Sequence, residues 1–260
     1  MFKYFLLILA LVRMTCYSLE IQDMPEKDRE KLERFFKLLI TRTTLGYTLC
    51  GDKPCSIESA PNLSKIPSRY AVNIFFKYHG YATLVQGIEA WNRYAHHFPS
   101  TRFVFRYVQA YNTLVLINKN AARRVIEENI DLFQKLTSSS KSADEYLDEV
   151  CFPFDETKDY LIKRNITLLG ILLGYGRNNA MAFEHKCYFL NLKRFELDNS
   201  YQPLGSILNP GFVCIENGTN TKENEKIKIT LRQAKQNIKA TFRSNHYFEV
   251  AITEFTGKNF

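Results

Sequence analysis

The 260 residues hold no apolar run of the ~18 or more residues that a membrane-spanning helix needs. They hold no repeat of fixed period and no Gly- or Pro-rich linker, with 11 Gly and 8 Pro spread along the chain. These absences make a membrane-spanning anchor and a solenoid unexpected, and one domain is expected. No C-x-x-C, G-x-S-x-G, H-E-x-x-H or P-loop is written anywhere, so no zinc, serine-nucleophile or nucleotide-hydrolysing chemistry announces itself. What is present is 45% hydrophobic and 24% charged, the composition of one folded core. The balance of 35 Lys and Arg against 27 Asp and Glu gives +8. The basic residues are dispersed among acidic ones over nearly every helical segment, which predicts solvated helix faces in place of the concentrated stripe that nucleic acid favours.

The N-terminus reads as an export signal. Lys3 precedes nine apolar residues, Tyr4 to Val12, which Arg13 ends. Nine is the length of a signal-peptide apolar region. Cys16-Tyr17-Ser18 places small side chains where a signal peptidase accepts them, so residues 1–18 are expected to be removed after Ser18 and the mature protein to be a single globular domain, 19–260. The rival cut leaves Cys16 as a lipidated N-terminus, although Arg13-Met14-Thr15 is a poor lead-in for lipidation. A third reading keeps the segment as an apolar helix packed on the core.

Six cysteines stand at 16, 50, 55, 151, 187 and 214, and export removes one. Cys50 and Cys55 flank Gly51-Asp52-Lys53-Pro54, a turn-forming tetrad between two short extended runs, which predicts a hairpin with the two thiols face to face. Oxidising conditions outside the cytoplasm would join them; otherwise they remain two small buried thiols. His185-Lys186-Cys187 has the wrong spacing for zinc, and His96-His97 has no third ligand nearby, so no metal site and no cofactor site is expected.

Hydrophobic periodicity supplies most of the elements. Leu32, Phe35, Phe36, Leu39 and Ile40 recur at helical spacing within 25–43, and Leu84, Val85, Ile88 and Trp91 write a second helix that ends at Pro99. Residues 102–108 and 113–117 read as strands joined by a turn, the second an apolar run suited to a buried strand. Asn118 is the expected cap of a helix running to Leu136, and Ser142-Ala143-Asp144-Glu145 has capping-box spacing. Residues 155–173 read as one helix, broken at Gly174-Tyr175-Gly176 before another that carries Ala180, Phe183 and Cys187. Gly170 and Gly174 suit close helix packing. A long helix is expected from about Thr221 to Ser244, then a short element from Phe248 to Phe255. The fold class is therefore α+β: a predominantly helical single domain packed around a small antiparallel sheet.

No catalytic constellation stands out. Gly174-Tyr175-Gly176-Arg177 at a helix start resembles a phosphate cradle but lacks the preceding strand and the third glycine. Cys151 or Cys187 with His79, His97, His185 or His246 would have to converge from distant positions. The sequons at Asn62, Asn165 and Asn217 matter only in a eukaryotic secretory pathway, and Asn165 falls inside an expected helix. Exposed contacts are expected beside two corners, Gly51 to Pro54 and Gly174 to Arg177, because loops at such corners are accessible.

Five blocks together carry a family likeness: Leu45 to Pro54, Trp91 to Pro99, Leu116 to Lys119, Gly170 to Ala180, and Pro210 to Val213. In this order they resemble a group of uncharacterised exported proteins of chlamydia-like intracellular bacteria. The resemblance implies a bacterial, host-associated setting and carries no activity or catalytic residue. The chain departs from that pattern at Cys50, where relatives carry an aromatic residue, so a bridge to Cys55 would be private to it.

The expected function is an exported, non-enzymatic protein of the periplasm, envelope or host interface. It would bind another protein or envelope component, with no nucleic-acid partner and no transmembrane anchor after cleavage. The alternatives are an exported, hydrolase-like enzyme with a scattered site, and a small-ligand-binding protein. The intact, non-reduced mass of the natively expressed protein is expected to match Leu19 to Phe260 in a soluble exported fraction. An acylated chain starting at Cys16 would place it on a membrane, and an uncut cytoplasmic chain would defeat the export reading.

Overall fold

In a computed structural model of the chain, residues 21–60, 80–151, 165–185, 192–197, 207–215, 221–244 and 246–258 are described. The expected signal segment, Cys16, Asn62, His79, the stretch 152–164, Cys187 and Asn217 lie outside them. The architecture is α+β and predominantly helical, with a three-stranded antiparallel sheet and a two-stranded one.

Strand β3 (Thr113–Asn118) is central, flanked by β1 (Cys55–Ser59) and β2 (Phe103–Val108). Its apolar run is buried on both faces, because alternate side chains of a strand point to opposite sides. Leu114 and Leu116 enter one core, Val115 and Ile117 the other. Each such fully buried side chain contributes roughly 1.5–3 kcal/mol of transfer free energy. The β2–β3 turn ends on Asn112 at φ 47°, a left-handed conformation that asparagine tolerates.

The first core is built by α1 (Glu26–Arg42), α2 (Leu45–Leu49), α3 (Tyr81–Tyr94), the C-terminal helices and the 3-10 turn that ends at His97. Trp91 is its centre, with ring centroids 5.5 Å from Phe36, 5.2 Å from Phe105 and 5.4 Å from Phe255. Asp28 pins α1 to α3: its carboxylate accepts from Lys31 (2.7 Å), from Arg93 (2.8 Å) and from the Tyr94 hydroxyl (2.9 Å).

The second core lies across the sheet, between α4 (Lys119–Glu128), α5 (Ile130–Thr137), α6 (Ala143–Cys151), α7 (Ile166–Leu172) and α8 (Arg177–Glu184). Asn118 caps α4 by accepting from the Ala121 amide at 3.2 Å, and Ser142 and Glu145 form the reciprocal capping box of α6. A break at Asn129 divides the helix expected to run to Leu136. Asn165 accepts from the Leu168 amide at 2.9 Å and so begins α7 instead of lying within a helix. Gly170 faces α8 so closely that an added Cβ would come within 2.8 Å of the Ala180 methyl.

The expected hairpin of 46–50 with 55–58 is not formed. Residues Leu45–Leu49 are a short helix buried on every side, and β1 pairs with β3 instead, Cys55 opposite Ile117. The cause is the tight α1–α2 corner: an added Cβ on Gly46 would sit 2.1 Å from the Ile40 carbonyl oxygen, so the chain folds back at once onto α1. An apolar five-residue run with this burial reads equally well as strand or helix. The polar face of β1 then stitches the sheet to α2, Glu58 accepting from the Thr44 amide and hydroxyl at 2.7 Å each, and Ser56 donating to the Thr44 carbonyl at 2.9 Å. The strands β4 (Leu192–Arg194) and β5 (Val213–Ile215) form the second sheet, and α9 (Thr221–Arg243) and α10 (Tyr247–Thr256) close the fold. No helix among the described residues is long and apolar enough to cross a membrane.

Replacing Asp28 by Asn is expected to cost about 1–3 kcal/mol in denaturant unfolding at neutral pH. Hydrogen bonding from Lys31, then from Tyr94, with the charges of Lys31 and Arg93, holds this carboxyl below its usual range against the opposing effect of burial. Its contribution is therefore full above the ordinary Asp pKa and fades as pH falls through the lowered one, so the gap between the two proteins should close in acid.

Candidate functional site

The two corners singled out in the sequence meet. Gly174 lies over the tetrad, its Cβ position 3.0 Å from the Pro54 ring and 3.7 Å from the Lys53 side chain. Three contacts hold the tetrad in place. Asn118 donates from its amide to the Pro54 carbonyl at 2.9 Å and from its side chain to the Gly51 carbonyl at 3.3 Å. Asn237 of α9 donates to the Cys50 carbonyl at 2.8 Å. One asparagine thus caps a helix, ends the central strand and anchors the corner.

A cleft of about 630 Å³ opens where the corners touch, between Pro54, α4, Gly174 to Arg177 and the first half of α9. A second, of about 560 Å³, runs on along α9 past Cys50, Gly51 and Arg102. Asp52 and Thr230 line both, so the two form one groove along a single face of α9 from Glu223 to Thr241. At 1.5 Å per residue that face is ~27 Å long. Val125, Ile171, Ile227 and Leu231 give the groove apolar walls, and Ile229 stands on its edge with 64% of its surface exposed. Charges pair across and beside it: Arg124 with Asp52 at 3.3 Å, Lys226 with Glu128 at 4.0 Å, and Arg177 with Asp131 through two contacts of 2.7 Å. The Arg177 guanidinium draws the Asp131 carboxyl down to about 2.

Two titratable groups in the groove are displaced from their ordinary behaviour. Lys53 is 5% exposed, donates to the Cys55 carbonyl and stands 5.9 Å from the Tyr175 ring centroid. Burial lowers its pKa to about 8, since an ammonium deprived of water is costly. Glu223 occupies the N-terminus of α8. Its Oε1 accepts from the Asn178 amide at 3.4 Å, and the neighbouring Arg177 and Asn179 amides also favour its charged form. Burial raises its pKa, those amides oppose the rise, and Oε2 is enclosed without a hydrogen-bond partner. Gly176, at φ 85°, leaves the room: an added Cβ would lie 2.5 Å from the Glu223 carboxyl carbon. The apparent phosphate cradle at Gly174 to Arg177 is therefore already occupied by a carboxyl group of the chain itself.

Beside it, the Asn179 side chain donates to Asn224 at 2.8 Å and accepts from the Ile215 amide at 3.0 Å, while Asn224 donates to the Ile215 carbonyl at 3.0 Å. This buried network fixes α8, α9 and β5 against one another, and with them the groove's width. Neither Glu223 nor this pair is signalled locally in the sequence, because the partners lie about 45 residues apart.

Cys50 and Cys55 are free, buried thiols on elements that do not pair, Cys50 after α2 and Cys55 opening β1. Burial pushes them to about 12 and about 11, and raises Cys151 too, so the thiolate needed for nucleophilic attack is disfavoured. The His96 and His97 rings lie 3.9 Å apart, and burial, then the neighbouring ring, lowers the His97 pKa. Among the described residues no group of three or more His, Cys, Asp or Glu could hold a metal ion. No family model, curated protein or solved structure matches the chain.

Lys53→Met is expected to change the pH dependence of stability. Folding lowers the amine's pKa from 10.5 to about 8, so between those values the unfolded chain binds more protons and the wild type gains stability as pH rises. Subtracting the variant's unfolding free energy from the wild type's, across pH 7 to 11, should isolate a rise on the order of 3 kcal/mol. A flat difference would show an amine that is ordinarily hydrated.

Proposed function

We propose that the protein is an exported binding protein of the bacterial envelope or host interface, and that its groove holds an extended segment of another macromolecule. The observation that carries this reading is the continuity of the two clefts through Asp52 and Thr230, along ~27 Å of α9. An extended peptide rises about 3.3 Å per residue, so roughly eight residues would lie along it. A small molecule would use one end only. The groove offers apolar walls, amide and hydroxyl groups at Thr230, Gln233 and Asn237, and an exposed aliphatic side chain at Ile229, which together suit a chain with alternating apolar and polar groups.

The displaced groups support binding over catalysis. Glu223 accepts from α8 through Oε1 and Lys53 donates to the Cys55 carbonyl, so both side chains are held by the fold. Export rests on the signal-like segment before Leu19, and the host-associated setting on the resemblance described above.

Peptides selected from a random displayed library against the mature chain should compete with one another for a single site. Their affinity should fall at least about tenfold in Ile229→Asp and in Gln233→Trp, each ~1.4 kcal/mol or more of binding, with melting temperatures unchanged. Binders that ignore both substitutions, or no binders at all, would overturn the reading.

A further inference from the structure

We infer that the protein has a second site, a cleft for phosphate-bearing organic anions between the C-terminal halves of α1 and α9. This cleft, of about 550 Å³, is separate from the groove and is lined by Arg34, Lys37 and Arg42 of α1 and Lys239 and Arg243 of α9, with Leu38, Ile207 and Phe242 between them. All five cations are exposed.

The arrangement comes from how charge is distributed along two helices. In α1 every carboxylate lies at or before Glu33, and in α9 at or before Glu225; beyond those points the helices carry cations only. Residues of both carboxylate-free halves line one cleft. Arg34 pairs with Glu30 at 2.7 Å, and Lys37 stands 5.8 Å from the Tyr247 ring centroid. Among the described residues Lys37, Arg42, Lys239 and Arg243 have no ion-pair partner. Cations suit the C-terminal ends of helices, which explains Arg42 and Arg243 in the last turns. It does not explain Lys37 and Lys239, which sit further back. Lys37, Arg42, Lys239 and Arg243 around one concavity raise its potential and repel one another, a cost that a bound anion removes.

The floor is held firmly. Leu208 donates its amide to the Thr41 carbonyl at 2.8 Å, and the Tyr47 hydroxyl donates to the Leu208 carbonyl at 2.9 Å, which fixes the segment carrying Ile207 against the end of α1. Phe242 stacks on Tyr247 with centroids 5.1 Å apart. Guanidinium forks match phosphate oxygens in pairs, and the apolar side chains between them suit a carbon body attached to the phosphate. The phosphate ester could belong to a soluble molecule or to a lipid headgroup, and both present the same chemistry to these residues.

Calorimetric titration of the mature chain with inorganic pyrophosphate, at physiological ionic strength, tests the site. Binding should weaken at least about tenfold in Lys37→Glu/Lys239→Glu and stay unchanged in Lys27→Glu/Lys135→Glu, which alters net charge equally on other exposed positions. A neutralising pair, Arg42→Gln/Arg243→Gln, repeats the test should the reversal disturb folding. Co-sedimentation with phosphatidylglycerol vesicles but not phosphatidylcholine vesicles, lost in the cleft variants, would assign the site to a lipid headgroup. Pyrophosphate binding without vesicle binding would assign it to a soluble ester. Failure to bind either probe, equal loss in the control pair, or sulfate bound as tightly as pyrophosphate would overturn the inference.

Discussion

The structure depends on a single strand that is buried on both faces. A strand exposed on one side needs one helical layer; β3, with Leu114 and Leu116 on one side and Val115 and Ile117 on the other, needs two. Everything else follows from supplying those layers. The helices from Glu26 to Tyr94 and the two C-terminal ones cover the first face, and those from Lys119 to Glu184 the second. The chain passes from the sheet into the second layer at the end of β3, where Asn118 caps α4 and also ties down the neighbouring Gly51 to Pro54 corner. The groove is the seam between the layers, which α9 follows.

Helix α9 serves both layers with different chemistry. Its first turn is held by polar contacts, through Asn224 to Asn179 and through Glu223 to the α8 amides. Its middle is held by apolar burial of Leu231, Ala234 and Ile238 in the first core. A buried amide pair cannot slide as two apolar faces can without leaving donors unsatisfied, so the register of α9 is set at its N-terminal end. The rest of the helix then falls in line, including the cations near its end.

Much of the fold was legible in the residues and the sites were not. Asn118 as a cap, Ser142 with Glu145 as a capping box, the double-faced run from Thr113 and the long helix from Thr221 all rest on interactions within a few residues of one another. The short helix at Leu45 was misread because five apolar residues carry no period and the deciding contact, Gly46 against the Ile40 carbonyl, is a matter of backbone clearance. The strands β4 and β5 are three residues each, too short to alternate visibly. The groove and the basic cleft are assembled across the whole chain. Charge that looked dispersed along the sequence becomes concentrated only when the ends of two helices some two hundred positions apart line one cleft.

That separation has a consequence for how the chain reaches its folded state. Asn237 bonds to Cys50 across 187 positions, and the Tyr47 hydroxyl to Leu208 across 161. The N-terminal helices, with Phe35, Phe36 and Trp91 on their inner faces, have no complete core until α9 and α10 arrive. Closing such long loops is slow, and a chain waiting for them exposes apolar surface to its neighbours. A chain made from its N-terminus would therefore hold its largest aromatic cluster unfinished until its last helices had emerged.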